Sequence, residues 1–359
     1  MGTKQFDSAT DLITFTRASG GTFLGSNGLI QTATNNTPRI EYNADGTVKG
    51  LLIEEARTNL YLNSNQFVSP WSLIGSTVTA SAGTSPTGLA DAWRWVGDGT
   101  SVLYQGTPYV AGDYTVSAWV KSNGAGEDTF RLYGLNTIIS GDFTATSEWV
   151  RYSYTFTSAI NGSQFSGLTY GTSQGNVDLL VYGLQIEAGA FPTSYIPTTG
   201  STATRAADVA TIPTANFGYN SNAGSVLVEA QRFGTNNYPR SVMIDAGSES
   251  NSIGLGAWGP NTSLTGYIVS GNVVQAAPGT GNVGSSAFKN SLAYKENNFA
   301  ASRDGGTVVT DTSGVVPTGL TTLRLGRNGV DAQFLNGHIK SIQYYPRRLS
   351  NAQLQELTT

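Results

Sequence analysis

The sequence predicts an all-β protein: two jelly-roll β-sandwiches in tandem, preceded by a short Gly-rich β segment. Three observations lead there. Glycine supplies 44 of 359 residues and only 12% of residues are charged, which with abundant Ser, Thr and Asn makes a turn-rich composition. Apolar and aromatic residues recur in short alternating runs, the period of half-buried strands. Gly, Asn, Ser and Pro bound those runs, and helical periodicity is nearly absent. Aromatics at 10%, with 17 Tyr, provide the surface that disordered chains lack, so the chain is expected to fold.

Residues 1–62 read as small extended pieces, at 12–17, 21–25, 28–33, 39–43 and 48–54. The last two flank Asp45-Gly46, a hairpin signal. A segment this small and Gly-rich is expected to pack on the next domain or on a partner chain. Residues 54–60 (EEARTNL) read as a linker turn with Leu60 inside.

Residues 63–197 carry regularly spaced strands, at 91–97, 101–106, 113–121, 129–135, 148–158, 165–171 and 177–187, the spacing of a jelly roll. Alternation sorts their faces. Tyr114, Val116, Ala118 and Val120 point one way, as do Val150, Tyr152, Tyr154 and Phe156, and Phe130 and Leu132. Trp119, Trp149, Arg131, Arg151 and Tyr133 point the other way, among Ser and Thr. Large aromatics beside polar groups suit a sugar, whose C–H face stacks on rings while its hydroxyls need polar neighbours. The competing reading of such outward aromatics is cover by a loop, by the Gly-rich segment or by another subunit.

The stretch from Gly183 to Ala210 closes this domain, with Pro192 and Pro197 as its stops. Its start, GLQIEAG at 183–189, echoes GLLIEEA at 50–56. Tyr195, Ile196 and Pro197 read as a rigid connector, residues 198–222 as a linker, and Arg205 and Asp208 as leading onward. Residues 223–359 hold a second strand series with a hairpin signal at Asp304-Gly305, and end in a helical turn capped by Ser350, with Leu354 and Leu357 facing the sheet. Here Trp258 is the candidate sugar contact and Tyr267 reads as core.

Net charge of −4 and no basic run longer than Arg347-Arg348 argue against a nucleic-acid partner. Absence of Cys excludes disulfides, Cys-based zinc sites and thiol nucleophiles. No signal-peptide core and no run of about eighteen apolar residues occur, so cytoplasmic synthesis without a signal peptide and no membrane insertion are expected. His338 is the sole histidine, so a Ser–His–Asp triad would have to use it and a multi-histidine metal site is impossible. Asp45, Asp98, Asp113, Asp142, Asp304 and Asp311 sit at turns that explain them. Glu54, Glu55 and Glu187 read as bonded to turn amides or paired with Arg57 or Arg205. No catalytic residue and no cofactor are assigned. No metal is assigned.

From Val226 to Leu357 the pattern resembles laminin-G-like, concanavalin-type jelly rolls, in LAYKENNFAASRDG (292–305) and LRLGRNGVDAQFLNGHIKSIQYYPRRLSNAQLQEL (323–357). Some laminin-G-like domains and jelly-roll lectins hold calcium with Asp and carbonyl oxygens; the resemblance would make Asp245, Asp304 and Asp331 the ligands, but they form no EF-hand-like cluster. The middle sandwich is similar to carbohydrate-binding jelly-roll modules. Segments TFTRASGGTFLGSNGLIQTA, PRIEYNADGTVKGLLIEEARTNL and GLQIEAGAFPTSYIPTTGSTATRAAD together look like tailed-bacteriophage fibre or spike proteins. The resemblance implies a non-enzymatic virion protein, of tail or capsid, that adheres to bacterial surface polysaccharide and contacts other virion proteins. A structural or decoration protein without glycan binding, attached to the particle by residues 1–62, and a polysaccharide depolymerase, are the alternatives. A homo-oligomer is expected, a trimer being the habit of such proteins, although no coiled-coil heptads are present.

Overall fold

The computed structural model describes residues 12–124, 128–135, 138–172, 176–234, 239–257, 263–282, 287–329 and 333–359. The chain is all-β, and the one α-helix among the described residues is Asn351–Leu357. Contacts divide it into two compact units. The terminal unit contains the described residues up to Ala18, then Thr34–Glu55 and Ala207–Thr359; the central unit contains Ser19–Ala33 and Ala56–Ala206.

This division differs from boundaries at 62, 197 and 222. Short strands cannot bury a face alone, so those of the first 62 residues are shared between the units. Strand Thr14–Thr16 pairs antiparallel with Val209–Pro213, which seats Phe15 in the terminal core. Val48–Ile53 pairs with Gly337–Tyr345 and seats Leu51 and Ile53 there. Gly326 makes room for Ile53: its φ is 67° and a Cβ would lie 2.8 Å from Ile53 Cγ2. The Gly21–Leu24/Ile30–Ala33 hairpin belongs to the central unit, where Thr22 Oγ1 donates to the Tyr195 carbonyl at 2.5 Å. Residues 57–59, expected in a linker turn, form a strand with Ala203–Arg205, and Leu60 packs on the central core. Val209–Pro213, expected in the linker, is a strand that also pairs with Thr322–Leu325.

In the terminal unit two sheets enclose Val226, Val228, Val242, Ile244, Ile253, Leu255, Leu292, Phe299 and Leu323. Tyr267 is buried as expected, but against Met243 and Val269 in a separate cluster. Both Asp-Gly hairpins form: Ile40–Tyr42 pairs with Val48–Ile53, and Phe299–Arg303 with Val309–Asp311. Ser350 caps the helix in a reciprocal capping box with Gln353, and Leu354 packs on Ala293 and Ala300.

The central sandwich is organised by one long strand, Ala92–Tyr109. Its first half pairs with Val177–Ala188, which continues to Gly112–Ser122 and Val150–Ser158. Its second half pairs with Gly162–Tyr170, which continues to Thr129–Leu135. Val116, Ala118, Val120, Phe130, Leu132 and Phe156 meet between the layers, as alternation predicts. Val150 does not: it stands 37% exposed at its strand's end.

Candidate functional site

The outward face of strand Gly112–Ser122 is not a solvent face. Residues 189–196 fold back across it, and their carbonyls are met by the polar side chains that alternation places there. Thr115 Oγ1 donates to the Gly189 carbonyl at 2.8 Å, Thr155 Oγ1 to Ala190 at 3.3 Å and Arg151 Nη1 to Thr193 at 2.7 Å. Beneath them the fully buried Glu187 accepts from Thr193 N at 2.8 Å, Thr193 Oγ1 at 2.6 Å and Gln185 Nε2 at 2.7 Å. Arg57 stands 3.9 Å from the same carboxylate.

Of the sequence-derived sugar contacts, Arg151 and Trp119 are cross-strand partners, with Trp149 two residues along. Arg151 also donates from Nη2 to Ser117 Oγ at 3.0 Å, and Trp149 Nε1 donates to the Thr84 carbonyl at 3.0 Å. Trp119 is half-buried and stands in the same row between Arg151 and Tyr182. Arg131 and Tyr133 lie on a different ladder, on Thr129–Leu135, where Tyr133 stands in register with Gly167 and Gly167 with Tyr104. Arg131 Nε donates to the Tyr170 carbonyl at 3.0 Å and lies 3.6 Å from Asp142. Phe165, 50% exposed, meets Tyr104 edge-on at 4.9 Å on that face. Trp258 lies outside the described residues, as does Asp331.

Of the other residues weighed, His338 is buried with Nε2 2.6 Å from Glu41 and an edge-on contact to Phe233 at 5.0 Å, with no nucleophile among these contacts. Glu54 is buried against Arg39 at 2.8 Å. Asp245 takes Arg324 at 2.5 Å and the Gly247 amide at 2.6 Å; Asp304 accepts from Lys289 N at 2.8 Å. Among the described residues no group of three or more His, Asp or Glu could hold a metal ion. No helix among them is long and apolar enough to cross a membrane.

What the central unit does form is a cleft of about 440 Å³, lined by Asn65, Gln66, Ser81, Asp91, Trp93 and Tyr182, and closed by Val68, Ala80 and the 195–199 segment. Local sequence explains each wall. In strand Val177–Ala188, Leu179 and Val181 face the core and Tyr182 faces away; a bulge at Gly183-Leu184 then resets the register so that Leu184 and Ile186 face inward again. Gly183, at φ 61°, permits the bend and lets the Tyr195 ring in, to 3.1 Å from where a Cβ would sit. Tyr195 meets Tyr182 edge-on at 5.6 Å and hydrogen-bonds Ser64 Oγ at 2.7 Å. Trp93 is half-buried, held edge-on by Phe67 at 5.6 Å.

Charge in the cleft is carried by Asp91 alone among its lining residues. Its Oδ2 is 3.5 Å from Asn65 Nδ2, and its Oδ1 is buried with no hydrogen-bond partner among the described residues. Burial, with Asp91 adding to it, pushes the Tyr182 phenol up to about 12, so it is neutral near pH 7. Sequence reading missed this site. Asp91 and Trp93 were legible only as part of strand 91–97, and the other lining residues come from residues 65–68, 80–81, 182 and 195–199, a juxtaposition that local periodicity does not encode.

The sequence matches no protein-family model and no curated protein. Among solved structures it is similar to the CBM40 of a Ruminococcus gnavus IT-sialidase bound to alpha2,3 sialyllactose, at 15% identity and TM-score 0.34, over 39% of this chain and 84% of that one. It is also similar to the N-terminal CBM22-1-CBM22-2 tandem domain of Paenibacillus barcinonensis Xyn10C, at 9% identity and TM-score 0.31, over 82% and 99% of the two chains. Domains LG4-5 of the mouse laminin alpha1 chain follow at 9% identity and TM-score 0.27, over 81% and 96%.

Proposed function

We propose that the central unit binds carbohydrate, without cleaving it, in the Trp93–Tyr182 cleft. The observation that carries this reading is a cleft whose lining combines Trp93, half-buried against the core, and the buried Tyr182 with Asn65, Gln66, Ser81 and Asp91. Rings receive the apolar face of a sugar, and the polar groups bond its hydroxyls. One carboxylate lines the cleft, whereas glycoside hydrolysis ordinarily uses two. On the sequence resemblance, the chain is a tailed-phage fibre or spike protein, displayed on the particle surface and binding bacterial surface polysaccharide. Oligomerisation would multiply weak contacts into useful avidity. Trp119, Trp149, Arg131, Arg151, Tyr133 and Trp258 stand as candidate contacts beyond the cleft.

Binding to purified bacterial envelope polysaccharides by titration calorimetry tests this. Trp93→Ala is expected to weaken binding about tenfold or more. Wild-type protein that binds no glycan, or a Trp93→Ala variant that binds as tightly, sinks the reading. Alanine at Trp119 or Tyr133 decides whether contacts extend onto the sheet faces.

The second reading is a protein contact in place of a glycan one: Phe165, half exposed, stands edge-on to Tyr104 on the ladder that carries Tyr133, where a protein neighbour would cover it, and the sequence resemblance would make that neighbour a virion protein. A particle reconstruction with Phe165 buried against another chain would support that reading.

A further inference from the structure

We infer that the cleft is built for neutral or amino sugars and rejects acidic ones, an inference that rests on the carbohydrate-binding reading above. The discriminating group is Asp91. Three other acids of the central unit show the contrast. Asp178 takes Arg94 in two bonds of 2.7 and 2.6 Å, Asp142 takes Thr172 N at 3.1 Å with Arg131 at 3.6 Å, and Glu187 takes Thr193 twice and Gln185. Asp91 has only the 3.5 Å approach of Asn65, longer than an ordinary N–H···O bond, and a buried Oδ1 with no partner among the described residues.

Asp91 Oδ2, which has only that long contact, keeps acceptor capacity at the cleft lining, and a ligand group that donates to it makes a bond the protein does not. Sugar hydroxyls and protonated sugar amines are such donors; a uronate or sialate carboxylate is not. No lining residue is cationic, so an acidic sugar would set its charge against Asp91 uncompensated. On the neighbouring strands Arg94 is engaged by Asp178 and Arg151 by the Thr193 carbonyl and Ser117 Oγ, while Lys121, in register with Leu180, is not part of the cleft lining.

The test is a glycan array read with the full chain, its glycans sorted into neutral, amino and acidic, with affinities of the leading glycans measured by calorimetry for wild type, Asp91→Asn and Gln66→Lys. Neutral or amino glycans are expected to bind on the order of tenfold more tightly than their acidic counterparts. Asp91→Asn keeps the shape and removes the charge, and should shrink that ratio. Gln66→Lys puts a cation at an exposed position of the cleft and should raise acidic-glycan affinity, so the inference stays testable even if Asp91→Asn misfolds. Acidic glycans bound as tightly by wild type, or a ratio unmoved by both variants, overturns the inference while leaving sugar binding intact. No glycan bound at all overturns the binding reading itself, and this inference with it.

Discussion

Four side chains with no exposed surface, Arg17, Arg39, Glu54 and Asp208, form a charge-balanced group in the terminal unit. Arg39 Nη2 is 2.5 Å from Asp208 and 2.8 Å from Glu54, Arg17 donates to Asp208 at 3.1 Å, and Asp208 also accepts from Glu54 N at 2.9 Å. Burial works against the Arg39 charge, but Glu54 and Asp208 outweigh it and its pKa is raised. Such a group is costly to desolvate and costlier to break, because removing one partner leaves a buried charge unmatched. Arg39→Met is therefore expected to lower unfolding stability by about 3–5 kcal/mol, read as a shift of the urea midpoint at unchanged slope. An unchanged midpoint would mean that the carboxylates find other compensation. The sequence echo GLLIEEA and GLQIEAG has its physical counterpart at this scale. Glu54 and Glu187 end corresponding strands, both are fully buried, and each is met by an arginine, Arg39 at 2.8 Å and Arg57 at 3.9 Å.

The segment 189–196 is the element that decides what the outward face of strand Gly112–Ser122 can do. Its backbone polar groups need partners once it lies on the sheet, and Thr115, Thr155, Arg151 and Glu187 supply them. Thr193→Val keeps the shape of the side chain and deletes the hydroxyl that donates to Glu187 at 2.6 Å. The expected cost is about 1–3 kcal/mol, measured by chemical denaturation; no loss would show that Gln185 and the Thr193 amide suffice. This element also marks how far the sequence could be read. Period-two alternation correctly put Val116, Ala118 and Val120 in the core and Thr115, Ser117 and Trp119 on the other side. It says which residues share a face, and nothing about whether a later stretch of chain returns to cover that face. Thr115 and Ser117 are fully buried for that reason. The cleft was illegible on the same ground, since Asn65, Ser81, Asp91 and Tyr182 are brought together by pairing between distant strands.

For the molecule as a whole, the chain builds each unit from non-contiguous pieces, and stability should follow those pieces, not the sequence boundaries at 62 and 197. A fragment of residues 63–197 loses Tyr61, which is fully buried in the central core and hydrogen-bonds Ser166 Oγ at 3.0 Å. It loses Asn59, whose Nδ2 donates to the Ile196 carbonyl at 2.9 Å and whose Oδ1 accepts from Ile186 N at 3.2 Å. It also loses Arg57, leaving the buried Glu187 without its cation. Loss of a core aromatic alone costs about 3–5 kcal/mol, a large share of the roughly 5–15 kcal/mol that holds a domain folded. The 63–197 fragment is therefore expected to melt broadly and without cooperativity. A fragment of residues 56–206, still without the Ser19–Ala33 hairpin of this unit, restores Tyr61, Asn59, Arg57 and the pairing of Arg57–Asn59 with Ala203–Arg205, and should melt more cooperatively and at a higher temperature than residues 63–197. Calorimetry of the two fragments beside the full chain measures the difference. Equal melting of both would mean that residues 57–61 are passengers on a sandwich that is complete without them.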